Sequence, residues 1–151
     1  MASDGTRLYA GGRTLQGEAA VFVYNLAGIK PGAQPDALLK SGFPAQGSIV
    51  FGVHVADNVL FAGYTGNGGA GTLVFANALS LGNQSTGVPL PSSTGCYSMR
   101  YSPKTDRLYC TEPTGTMQGV NVWDKVKTAP ALAGHITSHI LQPKDLELWE
   151  N

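Results

Sequence analysis

Three histidines, ten carboxylates and two cysteines are the residues of this 151-residue chain to weigh first for acid–base, metal or redox chemistry. His54 sits in the alternation Val53-His54-Val55, so its ring points to the opposite face from its neighbours. That is the position of a hydrogen-bonded or partly exposed strand residue; a ligand or general base is the sharper alternative. His135 and His139 are four residues apart, but in strand-like sequence, so they do not share a helical face as paired metal ligands do. Asp4, Asp57, Asp106 and Asp145 fall at or beside equivalent turns, where aspartate serves backbone turn chemistry. Glu18 and Glu112 fall in segments expected to link second and third strands, and they could face a common end of the body. With His54 they are the candidate ligand-binding residues. No residue is assigned a catalytic role, and neither a metal site nor a cofactor is expected.

Cys96 and Cys110 are too few for a metal site or a disulfide framework. They flank the turn at residues 102–106. A register with Leu108 opposite Tyr101 leaves Cys96 about three residues out of line with Cys110. That offset argues against a bond and favours two small buried side chains. No serine stands in a Gly-x-Ser-x-Gly elbow, and the glycine-rich stretch 66–71 has no Lys-Ser/Thr to cradle a phosphate. Asn83-Gln84-Ser85 is a glycosylation sequon in an expected surface loop, meaningful only in a secreted chain.

Charge is sparse, 13 % of residues, and sums to zero. Without a basic stripe there is no electrostatic basis for nucleic-acid or anionic-membrane partners. No apolar run is long enough to span a bilayer as a helix, and the start of the chain lacks a signal-peptide pattern. The compartment stays open. Twenty glycines and nine prolines punctuate the chain, as expected for many short strands joined by turns.

Those strands recur in a cassette. The triplets Arg7-Leu8-Tyr9, Val59-Leu60-Phe61 and Arg107-Leu108-Tyr109 are each followed by an aromatic, Tyr24, Phe75 and Trp123. From the middle leucine to the aromatic is 16, 15 and 15 residues; from leucine to leucine is 52 and then 48. Repeats of this length signal arrays. Leu8, Tyr24, Leu60, Phe75, Leu108 and Trp123 are therefore read as repeated packing residues between units. Each unit has a leading strand, a turn, a returning strand, a loop and a third strand; the turn of the second is Asp57-Asn58. The Pro/Gly/Ser-rich connectors at 27–47, 78–95 and 125–134 are each expected to hold a weak outer strand, at 37–40 in the first.

The expected units are 1–47, 48–95 and 96–135, with 136–151 as a closing segment of a single repeat domain. The first unit begins at its turn without a leading strand. Residues 138–149 align without a gap to 98–109, so the chain closes on a leading strand. A strand around 136–141 would complete the first unit and protect its edge. The fold expected is all-β: three propeller-type blades of antiparallel strands, either half of a six-bladed ring or a piece of a larger propeller. A β-trefoil is the alternative.

Two families resemble this pattern. Trp123-Asp124 followed by Gly134-His135 looks like the WD-repeat family, which implies a structural role for His135 in a buried hydrogen-bond network. Tyr24-Asn25 and Phe75-Ala76 replace the dipeptide in the other units, without the Gly-His pair. The Leu-Tyr/Phe pairs, the Val-x-Val strands and the long connectors also resemble lactonase-type and surface-layer-type propellers. A blade implies no particular activity. The expected function is a non-enzymatic binding or scaffolding module that grips a macromolecule through a ring face or loops. The alternatives are a lactonase-type enzyme with a channel site and a multivalent carbohydrate-binding lectin. Partners expected are a protein or glycan, with a second copy of the chain or a longer chain completing the ring.

Overall fold

The computed structural model describes residues 1–44, 46–112 and 117–137. Their regular structure is all-β, in three four-stranded antiparallel sheets, each running through its strands in chain order. The first sheet holds β1 (Ala2–Ser3), β2 (Arg7–Arg13), β3 (Ala19–Asn25) and β4 (Ala37–Leu39). The second holds β5 (Ser48–Ala56), β6 (Val59–Gly66), β7 (Gly71–Ala76) and β8 (Val88–Pro89). The third holds β9 (Ser98–Ser102), β10 (Arg107–Glu112), β11 (Gly119–Asp124) and β12 (Ala131–Ile136).

The cassette read from sequence is a cross-strand pair. Leu8 lies opposite Tyr24, Leu60 opposite Phe75, and Leu108 opposite Trp123. The hairpin at Asp57-Asn58 has both residues at positive φ, 47° and 61°, the twist that joins adjacent strands through two residues. Ala37–Leu39 forms the expected outer strand of the first sheet.

Side chains alternate between the two faces of a strand, and the stack of sheets follows from that period. Tyr9, Val21 and Val23 of the first sheet share a core with Leu60, Leu73 and Phe75 of the second. Phe61, Val74 and Val59 point the other way and share a second core with Leu108, Cys110 and Trp123 of the third. The middle sheet is covered on both faces, which is why Leu60, Phe61 and Ala62 are buried in succession. Trp123 is fully buried, and its Nε1 donates to the Pro91 carbonyl at 3.0 Å. The equivalent face of the first sheet has no sheet before it among the described residues, and Leu8 and Tyr24 are half-buried there. Tyr24 therefore does not share the inter-sheet burial of Phe75 and Trp123.

The second and third sheets approach most closely at a pair of glycines. Gly52 and Gly63 are register partners. A Cβ on either would stand 2.2 Å or 2.0 Å from the Cys96 carbonyl oxygen. Bare backbone at both positions lets the lead-in to β9 lie directly on the middle sheet.

This approach reverses the expectation for the cysteines: Cys96 and Cys110 form a disulfide, with Cα atoms 5.5 Å apart. The register itself is as expected, with Leu108 opposite Tyr101 and Cys110 opposite Met99. However, β9 begins only at Ser98, and Gly95 turns the chain at φ 107°. Upstream of the ladder, sequence offset no longer measures distance, and Cys96 folds back over Cys110. The first unit also differs from expectation, because a two-residue leading strand is present: Ala2 and Ser3 pair with Tyr9 and Leu8. Ile136 ends β12, opposite Val120, so it belongs to the outer strand of the third sheet. The rest of the closing segment, with His139 and Asp145, lies outside the described residues.

Candidate functional site

Each of the three candidate residues is held by a different set of partners. Glu18 precedes β3 and pairs with Lys40 at 2.8 Å, a partly exposed ion pair. His54, on β5, bridges to the third sheet: its Nε2 accepts from the Tyr101 amide at 3.2 Å. Burial, and secondarily the positive Arg100 nearby, lower its pKa from 6.5 to about 4. It is a neutral acceptor at physiological pH.

Glu112 is not in a loop. It ends β10 and is fully buried. The Thr94 amide donates to both of its carboxylate oxygens at 3.1 Å, and the Thr94 hydroxyl donates at 2.5 Å. Ser93 Oγ lies 2.8 Å from Glu112 Oε1 and 3.0 Å from Thr72 Oγ1, which also accepts from the Cys96 amide at 3.0 Å. The carboxylate thus ties the 93–96 segment to the second and third sheets beside the disulfide. Donor atoms of Cys96, Cys110 and Glu112 converge within 4.8 Å. Both sulfurs are consumed in the disulfide, so they have no thiolate to offer a cation.

His135 departs from the pattern its resemblance implies. It is exposed, and its Nε2 meets the Gln118 carbonyl at 3.0 Å on the edge strand rather than in a buried network. Of the aspartates read as turn residues, Asp4 serves its own turn, whereas Asp57 pairs with Lys127 and Asp106 bonds Tyr101 and the Lys127 amide. Asp4 accepts from the Thr6 and Arg7 amides and from the Tyr9 hydroxyl. Burial opposes ionisation of Asp4, but these hydrogen bonds outweigh it and bring its pKa down to about 2. Asp106 accepts from the Tyr101 hydroxyl at 2.8 Å. Burial, then this bond and the Asp106 charge, push the Tyr101 phenol up to about 12.

One group of residues escaped the sequence reading. Between the second and third sheets lies a cavity of about 320 Å³, lined by apolar Val59, Val74, Leu81, Val88 and Val126 together with polar Ser85, Thr86, Thr128 and Lys127. At its mouth the Lys127 ammonium pairs with Asp57 and lies 5.6 Å from the centre of the Tyr101 ring. The signal was present in the repeat: Val59 stands where the other two units have arginine. Compared with protein-family models, with curated proteins and with solved structures, the chain matches none.

Proposed function

We propose that the chain is a non-enzymatic binding module made of three propeller-type blades, holding a macromolecular partner through its loops or a ring face. The observation that carries this reading is how the candidate acid–base groups are used. Glu18 is neutralised by Lys40, His54 accepts a backbone hydrogen bond across two sheets, and Glu112 is sealed under Ser93 and Thr94. Each is engaged in holding the fold, and among the described residues no partner is common to any two of them, which speaks against a poised acid and base for lactone hydrolysis.

The blade reading is supported by the meander order of every sheet, by the face-to-face stacking, and by the neighbouring leading strands, β5 touching β1, β2 and β9. A trefoil would arrange its hairpins about a three-fold axis instead of stacking sheets. Propellers use about 4–8 blades, so three require more from a second copy or a longer chain.

The test has three arms on the same purified protein: a lactone and ester panel, a glycan array and a peptide array. The expected result is saturable binding to peptides, with no turnover above background. Turnover abolished by His54→Gln or Glu18→Gln would overturn the reading in favour of the enzyme. Binding confined to glycans would overturn it in favour of the lectin.

A further inference from the structure

Asn83-Gln84-Ser85 is the single Asn-x-Ser/Thr sequon of the chain, and the proposed binding function makes no use of it. The structure puts it at the tip of a turn. The Ser85 amide donates to the Gly82 carbonyl at 2.9 Å, so Asn83 and Gln84 are the two central residues, and both are exposed. The Gly82 amide donates to Ser85 Oγ at 3.0 Å, which closes the turn a second time. The turn is anchored to the first sheet on both sides. Asn83 Oδ1 accepts from the Leu38 amide at 2.7 Å, and the Gly87 amide donates to the Ser41 carbonyl at 3.2 Å.

A sequon meets a sugar donor only on the secretory route, and the disulfide bears on that. Cys96 and Cys110 are the chain's only cysteines, both are fully buried, and they are bonded to each other. Structural disulfides form and persist in oxidising compartments and are rare among cytosolic reductants. Gly52 and Gly63 leave room for the Cys96 carbonyl, and Glu112 holds Ser93 and Thr94 beside it. The bond therefore belongs to the packed core and not to exposed thiol chemistry. The exposed acceptor amide and the oxidised core are independent observations, and the secretory route accounts for both.

We propose that Asn83 is an N-glycosylation site, with a lipid-pyrophosphate-linked oligosaccharide as the donor. In the transfer, Asn83 Nδ2 forms a bond to C1 of the first sugar, and the bond from C1 to the pyrophosphate oxygen breaks. The lipid pyrophosphate leaves with the electron pair, and Nδ2 gives up one proton to a base of the transferase. No oxidant or reductant takes part. The product keeps its Oδ1, so the sugar takes only the nitrogen, and the carbonyl still accepts from the Leu38 amide. The folded chain therefore carries the glycan without losing this contact between its sheets. The site is independent of what the module grips.

The test reads the chain isolated from its source, with thiols blocked by an alkylating agent before lysis. Intact mass is measured before and after treatment with an amidase that releases N-linked oligosaccharides and converts the acceptor asparagine to aspartate. The expected result is a cysteine pair that takes up no alkylating agent and an added mass that the amidase removes, with the conversion mapped to Asn83. Asn83→Asp and Ser85→Ala are expected to lose the added mass completely, and Ser85→Thr to retain it. Asn83→Asp keeps an acceptor for the Leu38 amide, so it is expected to fold, which thermal melting checks. Free thiols in the source overturn the compartment and the site with it. A bonded chain without sugar at Asn83, or added mass that persists in Asn83→Asp, overturns the site alone.

Discussion

His54 makes folding sensitive to acid. Its folded pKa of about 4 lies below its ordinary 6.5, chiefly because burial disfavours the imidazolium, with Arg100 adding repulsion. The unfolded chain therefore binds a proton that the folded chain refuses. The stabilising effect is complete above pH 6.5, falls as pH drops towards 4, and is lost below that. The swing is on the order of 3 kcal/mol at most, since each pKa unit corresponds to about 1.4 kcal/mol. Urea denaturation midpoints measured across this range should fall steeply for the native chain and less steeply for His54→Gln. Glu112 acts differently, through neutral donors that need it. Glu112→Ala strands the Thr94 amide and the Ser93 and Thr94 hydroxyls, and should cost about 2–4 kcal/mol in urea denaturation. Glu112→Gln keeps an acceptor for the amide and should cost less than half as much. The sequence revealed the residue types here but not their employment. Glu112 read as a loop acid because a proline follows it, and its Ser93-Thr94 partners are 18 to 19 residues away, beyond any local pattern.

At the level of elements the period of two did most of the work. The Leu–aromatic pairs, the Asp57-Asn58 hairpin and the Leu108–Tyr101 register were all legible, because alternation and turn chemistry are local. Features made by one sheet on the next were not legible. The bond between Cys96 and Cys110 depends on where β9 starts and on the bare Gly52–Gly63 window beneath Cys96, neither of which leaves a trace in spacing. His135 failed for the related reason that a dipeptide pattern was matched without its buried surroundings. The glycine window yields a direct prediction. A Cβ at Gly63 would stand 2.0 Å from a carbonyl oxygen anchored by the disulfide, so Gly63→Ala must push the third sheet off the second. The expected loss is about 3 kcal/mol or more, at the upper end of overpacking. Trp123, fully buried in that interface, reports it: in a Trp149→Phe background the emission should shift to the red. An unchanged spectrum and an unchanged denaturation midpoint would mean that the sheets have room to slide.

For the whole molecule, the question is what covers the two ends of the stack. The Leu60–Phe75 and Leu108–Trp123 pairs are each buried against the preceding sheet; the equivalent pair Leu8–Tyr24 has no preceding sheet among the described residues. Conversely, Tyr9–Val23 and Phe61–Val74 are buried against the following sheet, and the equivalent pair Tyr109–Val122 has none among the described residues. The two end faces are thus of opposite kinds, each matching the side that the other lacks. A second copy placed head to tail would bury both kinds at once, and two such contacts in one dimer close a ring, as heterologous interfaces do when the rotation permits. The proposed ring therefore predicts, by light scattering on a sizing column, a particle of twice the 15.8 kDa chain mass. Tyr24→Glu on one end face, or Val122→Glu on the other, should return that particle to a single chain while leaving its β-sheet circular dichroism intact, since both side chains are half-buried and outside the two cores. A native chain that runs as a monomer at high concentration, and melts cooperatively with Leu8 and Tyr24 facing solvent, would mean that three stacked sheets suffice by themselves. The ring of two copies would then have to be abandoned.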